Sequence, residues 1–210
     1  MTNEEYKLML DASDSVYQNG ETNVPKGYVL DKVFKDWNKN GFQAVAFRNE
    51  LTGKTILAFA GTEYLQDAYA DIKLGWDQWK GEAKNEVVEY IQNNIANGKI
   101  TTLHFTGHSL GGALAQYAIY NYVSSIRIEG HETDELPIQL DITTFNALGG
   151  QDGLIQYLPD TNPYRNEIIA DIEGAHFYVD GDLVSRAGGG HIGGKPYILM
   201  QLGFTTLDLI

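Results

Sequence analysis

Ser109 stands in a sequence pattern that can make a serine side chain chemically reactive. It is the central residue of G-H-S-L-G at 107–111, which follows the β-branched run 100–106 and precedes the apolar run 110–123. That order predicts a strand, a sharp turn and a helix, with the serine at the tip of the turn. Only small residues fit two positions before and after such a serine, and glycine occupies both. The spacing therefore predicts that Ser109 is a nucleophile.

A histidine and an acid must accompany this serine, because its hydroxyl reacts only when an imidazole accepts its proton and a carboxylate fixes that imidazole. His191 is the preferred base, since the glycine-rich stretch 188–194 places it on a loop after the last long predicted strand. Asp180 and Asp182 stand where that strand ends, and both are candidates for the acid. The order serine, aspartate, histidine is that of an α/β-hydrolase. Asp182 is preferred, and the other aspartate is expected to bond to its own backbone in the turn.

The remaining histidines have simpler explanations than catalysis. They are His104, His108, His131 and His176. The first and last fall inside predicted strands, where a packed side chain is the usual role, and His108 is expected to point away from Ser109. His131 lies in an acidic surface loop, where Glu135 occupies the position that a zinc site would give to a second histidine. The glycines at 188–194 spell G-x-G-x-x-G, but no helix follows them, so nucleotide binding is not predicted.

Three parts of the sequence together resemble the class 3 lipases, the family of fungal triacylglycerol lipases and many bacterial relatives. They are 59–62, similar to the family's oxyanion loop, 107–112, its elbow, and 181–186 with 191–193, its acid and histidine segments. The resemblance assigns the acid to Asp182 rather than Asp180. It also implies that the backbone amides of Thr62 and Leu110 form the oxyanion hole. Ala60 departs from the family pattern, because many members have arginine there.

The elements that must position these residues alternate along the chain. Helices are predicted over 3–18, 28–37, 82–96, 110–123 and 153–158, and strands over 42–48, 54–60, 100–106, 138–146 and 175–179. The almost continuous apolar run at 54–60 is typical of a central strand covered on both faces. Strands that alternate with helices predict an α/β-hydrolase fold with a mainly parallel central sheet flanked by helices. A length of 210 residues suits one domain over 1–210.

The composition excludes several classes of protein. A formal net charge of −13 argues against binding to nucleic acid, and against docking onto anionic lipid by charge alone. The chain has no cysteine, which excludes thiol catalysis, disulfides and thiolate metal sites. No apolar segment has the length of a signal-peptide core or of a membrane span, so we expect a soluble chain. The sequence leaves the localisation of the protein open, and the alternatives include secretion without a leader peptide.

The resemblance implies a serine hydrolase that cleaves carboxylic esters of acyl lipids, as a lipase or phospholipase, without a metal or cofactor. Two alternatives stay open. The same residues could act on a soluble ester, thioester or peptide, or the fold could be a binding domain that keeps the turn only for packing. The lipid class, the ester position and any protein partner are not readable from the sequence.

Residues 63–81 follow the oxyanion loop, where the resemblance places the family's lid. Tyr64, Trp76 and Trp79 lie in this segment and are expected to contact the acyl chain at a membrane or micelle interface. Phenol and indole rings suit that role, because they combine a large apolar face with a polar edge. The alternative is that both tryptophans pack beneath the helix at 82–96.

Overall fold

The structure, a computed structural model, describes residues 2–36, 41–61, 72–80, 82–126, 136–157, 165–181, 184 and 188–199. Its helices are α1 (Asn3–Ser15), α2 (Ile72–Trp79), α3 (Glu82–Ala96), α4 (Leu110–Ile126), α5 (Gln151–Tyr157) and α6 (Arg165–Asp171). Its strands are β1 (Val29–Asp36), β2 (Phe42–Arg48), β3 (Lys54–Phe59), β4 (Thr102–His108), β5 (Gln139–Phe145), β6 (Glu173–Val179) and β7 (Lys195–Leu199). One turn of 3₁₀ helix, Val16–Gln18, follows α1.

These strands form a single sheet in which their spatial order equals their order in the chain. β1, β2 and β3 pair antiparallel, whereas β3 to β7 pair parallel. The mainly parallel sheet flanked by helices that the sequence predicts is therefore confirmed. Since parallel strands end at the same edge of a sheet, the residues that follow β3, β4, β5 and β6 meet there.

The prediction of a helix over 28–37 is wrong, because β1 occupies most of that stretch. Its apolar residues fit the spacing of a helix as well as that of a half-buried strand. Pairing with β2 decides for the strand, which buries Phe34 completely and leaves Lys32 and Lys35 exposed. Charged side chains are usual on an edge strand, where they oppose pairing with other chains.

The C-terminal part of the chain contains two elements that the sequence analysis missed, α6 and β7. Pro196 stands inside β7, and proline is rare within strands because it has no N–H to donate. β7 tolerates it because, among the described strands, β7 is the last of the sheet and pairs with β6 alone. The predicted helix at 82–96, in contrast, coincides with α3.

Apolar side chains cover both faces of the sheet. On β3, Leu57 and Phe59 pack in the core that contains α4, whereas Ile56 and Ala58 pack in a second core that contains α1. This alternation explains why the sequence of β3 is apolar almost without a break. The prediction of a central strand covered on both faces is confirmed.

α4 is the most deeply buried helix among the described elements. Its residues are buried without a break from Leu110 to Tyr120, as expected for a helix that is apolar on every side. It packs against β3, β4 and β5 and against the helices α2 and α6. None of the helices in the described ranges has both the length and the hydropathy that crossing a membrane requires.

Candidate active site

Ser109 occupies the turn between β4 and α4 in a strained backbone conformation. Its φ is +56°, a value that non-glycine residues rarely adopt. Such strain persists only where the surrounding structure imposes it, and the Ser109 amide donates a hydrogen bond of 3.1 Å to the carbonyl oxygen of Phe145. The side chain is 1% exposed. The structure thus has the strand, turn and helix that the sequence predicts around Ser109.

The two glycines of the pattern are required by close packing. A Cβ atom on Gly107 would overlap the backbone of Gly111, and one on Gly111 would overlap the carbonyl oxygen of Phe59. Neither glycine has a positive φ, so their value lies in the missing side chain and not in their conformational freedom. This contact brings the end of β3 against the first turn of α4.

The segment that leads into the predicted oxyanion loop therefore ends beside the elbow. A Cβ atom on Gly61 would lie 2.8 Å from the carbonyl oxygen of His108 and 3.3 Å from the amide nitrogen of Gly111. The Gly61 amide donates a hydrogen bond of 2.9 Å to the hydroxyl of Tyr17, which holds this segment to the turn after α1. Tyr17 carries no motif and was missed by the sequence analysis. Thr62, the next residue, lies outside the described residues.

Leu110 is the first residue of α4, and the first amides of a helix have no acceptor within it. They also carry the positive end of the helix dipole. The Leu110 amide therefore suits an oxygen atom on which negative charge develops.

His191 lies half-buried over β6, where its ring stacks on that of His176 with centroids 4.4 Å apart and an interplanar angle of 10°. Burial lowers the pKa of His191 below its ordinary value, which favours the neutral form that accepts a proton. Its Nδ1 atom is buried and has no hydrogen-bond partner within the described part of the chain. In a catalytic triad this atom binds the acid. Asp182 lies outside the described residues.

His176 is held neutral beneath His191. Its Nε2–H donates to the carbonyl oxygen of Gly193 at 3.0 Å, and its Nδ1 accepts from the hydroxyl of Thr144 at 2.8 Å. Burial, together with the charge of the neighbouring His191, lowers the pKa of His176 to about 3. His104, which bonds to Thr143, is likewise held neutral, since burial lowers its pKa to about 3. Both side chains have the packed roles that were predicted for them.

Hydrogen bonds connect the turn at Ser109 to the loop that carries His191. The carbonyl oxygen of Ser109 accepts from the amide of Leu148 at 3.2 Å. Three residues further on, Gln151 donates through its amide to the oxygen of Gly190 and through its side chain to the oxygen of His191, at 3.0 and 2.9 Å. Within the described residues, however, the Ser109 hydroxyl has no hydrogen-bond partner, so the structure shows no bond between it and His191.

The strand that precedes the candidate acids is anchored beside the elbow as well. Asn146, directly after β5, accepts a hydrogen bond of 3.0 Å through its side chain from the amide of Val179, the last residue of β6. Asp180 follows in an exposed turn. His108 lies near Asp14 of α1: burial raises the pKa of that carboxyl, and the charge of His108 opposes this rise.

Trp79 is a core residue in this structure, which favours the packing alternative over a contact with an acyl chain. Its ring is 0% exposed and packs against Phe42 and Phe59, with centroids 6.2 and 6.1 Å apart. It belongs to the same buried cluster as Val87 and Ile91 of the helix at 82–96. Tyr64 and the side chain of Trp76 lie outside what the structure describes, as does the predicted lid, apart from α2 and Lys80.

An open cavity of about 740 Å³ gives His191 a route to solvent. Ile172, Gly193 and Tyr197 line it together with the polar side chains Glu173 and Lys195. Water that reaches His191 through this cavity could be deprotonated there. Among the described residues, no group of histidine, aspartate and glutamate side chains is arranged to hold a metal ion.

The close packing at Gly111 can be tested by adding one methyl group. Gly111→Ala should lower the free energy of unfolding by about 3 kcal/mol, the upper part of the range for overpacking, because the methyl group meets rigid backbone. Gly98→Ala is the control, since Gly98 has a φ of +68° and no atom near an added Cβ. It should lose about 1 kcal/mol through backbone strain. Urea denaturation measures both, and equal losses would contradict the packing argument.

Comparison with known proteins finds a matching family model over part of the chain and similar folds over most of it. Residues 46–145 match the family model of lipase (class 3). The fold is similar to that of Rhizomucor miehei lipase in its propeptide complex, with a TM-score of 0.65, 16% identity and coverage of 95% of this chain and 70% of that one. No protein with curated annotation matches the sequence significantly.

Two further solved structures have the same fold. One is a triacylglycerol lipase described as having a serine protease triad at its catalytic centre, with a TM-score of 0.69, 16% identity and coverage of 94% and 81%. The other is a fungal lipase in complex with an inhibitor, described as a model for interfacial activation, with a TM-score of 0.64, 16% identity and coverage of 92% and 78%. The resemblance predicted from the motifs is thus confirmed over residues 46–145, which match the class 3 lipase model, and the chain has the α/β-hydrolase fold of the fungal enzymes.

Proposed function

We propose that this protein is a serine hydrolase that cleaves carboxylic esters of acyl lipids, as a lipase or phospholipase. The observation that carries the proposal is the backbone of Ser109, strained to a positive φ at the start of a buried helix and packed against the end of β3. Glycine adopts this conformation without strain, so a position that served only to form the turn would favour glycine over serine. The match to class 3 lipases over 46–145 supports the same reaction.

The reaction begins when the Ser109 hydroxyl attacks the ester carbonyl carbon and passes its proton to His191. The carbonyl oxygen becomes an oxyanion, which the amides of Thr62 and Leu110 bind. His191 then gives the proton to the departing alcohol, and an acyl-enzyme remains on Ser109. Water that is deprotonated by His191 attacks the acyl group, and collapse of the second intermediate releases the carboxylic acid and restores the serine.

Asp182 is the proposed acid that orients His191. It follows β6, whose end is bonded to the loop after β5 and so lies at the same edge of the sheet as Ser109. The buried and unpartnered Nδ1 of His191 is the atom that this carboxylate would accept a hydrogen bond from. A carboxylate there also stabilises the imidazolium, which burial otherwise disfavours.

Two observations favour a lipid over a soluble ester. The Ser109 side chain is almost fully buried, so a substrate reaches it only after a covering segment moves. α2 packs on Leu110, the residue after Ser109. A Cβ atom on Gly75 of α2 would lie 2.9 Å from Cδ1 of Leu110. Movement of this segment at a lipid surface would open the site, and a fungal lipase of the same fold is described as a model for interfacial activation. Tyr64 and Trp76 are the proposed contacts to the acyl chain.

Ser109→Ala should lower ester turnover by about 10⁴-fold or more and abolish labelling by a fluorophosphonate, because the nucleophile is lost. The fold should persist, since the hydroxyl bonds to nothing in the described part of the chain. Ser13→Ala, at a buried serine of α1, is the matched control and should keep both activities. Hydrolysis of nitrophenyl butyrate and the melting temperature are the measurements. Labelling of the Ser109→Ala variant at the wild-type rate would exclude Ser109 as the nucleophile.

The two aspartates after β6 should behave differently. Asp182→Asn should lower kcat by about 10⁴-fold with little change in KM, because an amide selects the wrong tautomer of the imidazole. Asp180→Asn should leave kcat near the wild-type value, since its side chain is exposed in the turn. Steady-state kinetics on one soluble ester compares them. The reverse ranking would transfer the role of the acid to Asp180.

A series of nitrophenyl esters with acyl chains of increasing length tests the preference for lipid. Trp76→Ala should slow hydrolysis of long-chain, micellar esters much more than that of the acetate. Trp79→Ala should instead lower stability by about 3–5 kcal/mol, the usual loss for a buried tryptophan, and reduce all substrates alike. If the wild type prefers the acetate, or if Trp76→Ala slows every ester equally, the substrate is a soluble ester.

A further inference from the structure

Gln116 is a buried amide in the middle of the apolar helix α4. It is 0% exposed and lies seven residues after Ser109, about two helical turns along the same helix. A buried amide destabilises a protein unless its donors and acceptor are paired. A glutamine at this position is therefore kept for what it binds.

All four hydrogen-bonding positions of the Gln116 amide are occupied. Its Nε2 donates to the carbonyl oxygens of Gly112 and Leu148, at 3.1 and 2.9 Å. Its Oε1 accepts from the amides of Gly150 and Ile192, at 3.1 and 2.8 Å. A side-chain amide has two donors and two acceptor lone pairs, so none remains for other partners.

These bonds join three separate parts of the chain. Gly112 belongs to the first turn of α4, which directly follows Ser109, and 148–150 is the loop that bonds to the Ser109 carbonyl. Ile192 directly follows His191. One side chain thus fixes the backbone of the candidate base relative to the helix that carries the nucleophile.

The peptide group between His191 and Ile192 is held from both sides. Its N–H donates to Oε1 of Gln116, and its carbonyl oxygen accepts from Nε2 of Gln151 at 2.9 Å. Glycines flank this peptide at 188–190 and at 193–194, and a loop with so many glycines has much conformational freedom to lose. Two side-chain amides supply the constraint that the loop sequence lacks.

We propose that Gln116 and Gln151 form a clamp that positions the imidazole of His191 for proton transfer from Ser109. This clamp deepens the proposed function and rests on it, since neither glutamine contacts the reacting atoms. An apolar residue at 116 would leave the Ile192 and Gly150 amides unpaired. An ionised glutamate would turn a second acceptor towards the oxygens of Gly112 and Leu148. Glutamine satisfies both the two carbonyl oxygens and the two backbone amides, because its side chain has two N–H donors and an oxygen with two lone pairs.

Gln116→Met tests the clamp, because methionine has nearly the same volume and makes none of the four hydrogen bonds. We expect kcat to fall by about 10²-fold at unchanged KM, the effect of a displaced catalytic group. Gln151→Leu should lower kcat in the same way. Because Gln151 is only partly buried, this second variant should fold even where Gln116→Met does not. Asn121→Leu is the control on the same helix, where the Asn121 side chain donates to the carbonyl oxygen of Tyr117 and contacts no part of the loop that carries His191 within the described hydrogen bonds. It should keep the wild-type kcat.

A double variant separates positioning from a general loss of structure. If the clamp acts through His191, Gln116→Met should lower the residual activity of His191→Ala no further, whereas damage to the whole site would lower it again by the same factor. All rates refer to the folded fraction measured by circular dichroism. An equal loss in both backgrounds, or wild-type kcat in a folded Gln116→Met or Gln151→Leu variant, overturns the clamp. If the clamp is overturned in this way, loss of activity in Ser109→Ala still supports the proposed hydrolase. A wild-type protein that cleaves no ester overturns both the hydrolase and the clamp.

Discussion

The close approach of β3, β4 and the first turn of α4 is the constraint on which the candidate site depends. It exists because Gly107 and Gly111 have no side chain, so that the end of β3 can touch the helix backbone directly. The same contact accompanies the positive φ of Ser109 and brings Gly61, the residue before the proposed oxyanion loop, beside the turn. A single methyl group at Gly111 would separate these parts. The proposed nucleophile and the start of the proposed oxyanion loop thus depend on one packing contact.

The second requirement of the proposed reaction is a base that stays neutral until it accepts a proton, and burial favours the neutral form of the candidate base His191. His191 stacks on His176, whose two nitrogens are paired with Thr144 and Gly193, so an uncharged ring faces the base. Burial lowers the pKa of His191, which keeps it able to accept a proton but opposes the imidazolium that acceptance creates. The carboxylate proposed at Asp182 resolves this conflict, because it stabilises the imidazolium in a site that otherwise disfavours it.

The turn at Ser109 and the helix α3 were predictable because their signals lie in residues close together in the sequence. The features that were not predicted depend on contacts between residues far apart in the sequence. Ser109 and its glycines form a motif of adjacent residues, and the period of 82–96 fits a helix alone. β1 was predicted as a helix because its apolar spacing fits both structures, and only pairing with β2 selects the strand. Trp79 was assigned to a lipid surface because its type suits that role, but its neighbours Phe42 and Phe59 are more than 15 residues away in sequence. Gln116 carries no signal, since its partners are known only once three segments are folded together.

The C-terminal end of α2 is fixed in the core beside the candidate site. Side chains from β2, β3 and α4 enclose the C-terminal end of α2, where Trp79 packs, so this end cannot leave the core without exposing a large aromatic surface. Ser109 is covered, however, and a substrate must reach it. Under the proposed function, any opening of the site therefore leaves Trp79 in place, because its ring is packed against Phe42 and Phe59. Burial of this one tryptophan thus assigns the C-terminal end of α2 to the part of the molecule that keeps its geometry.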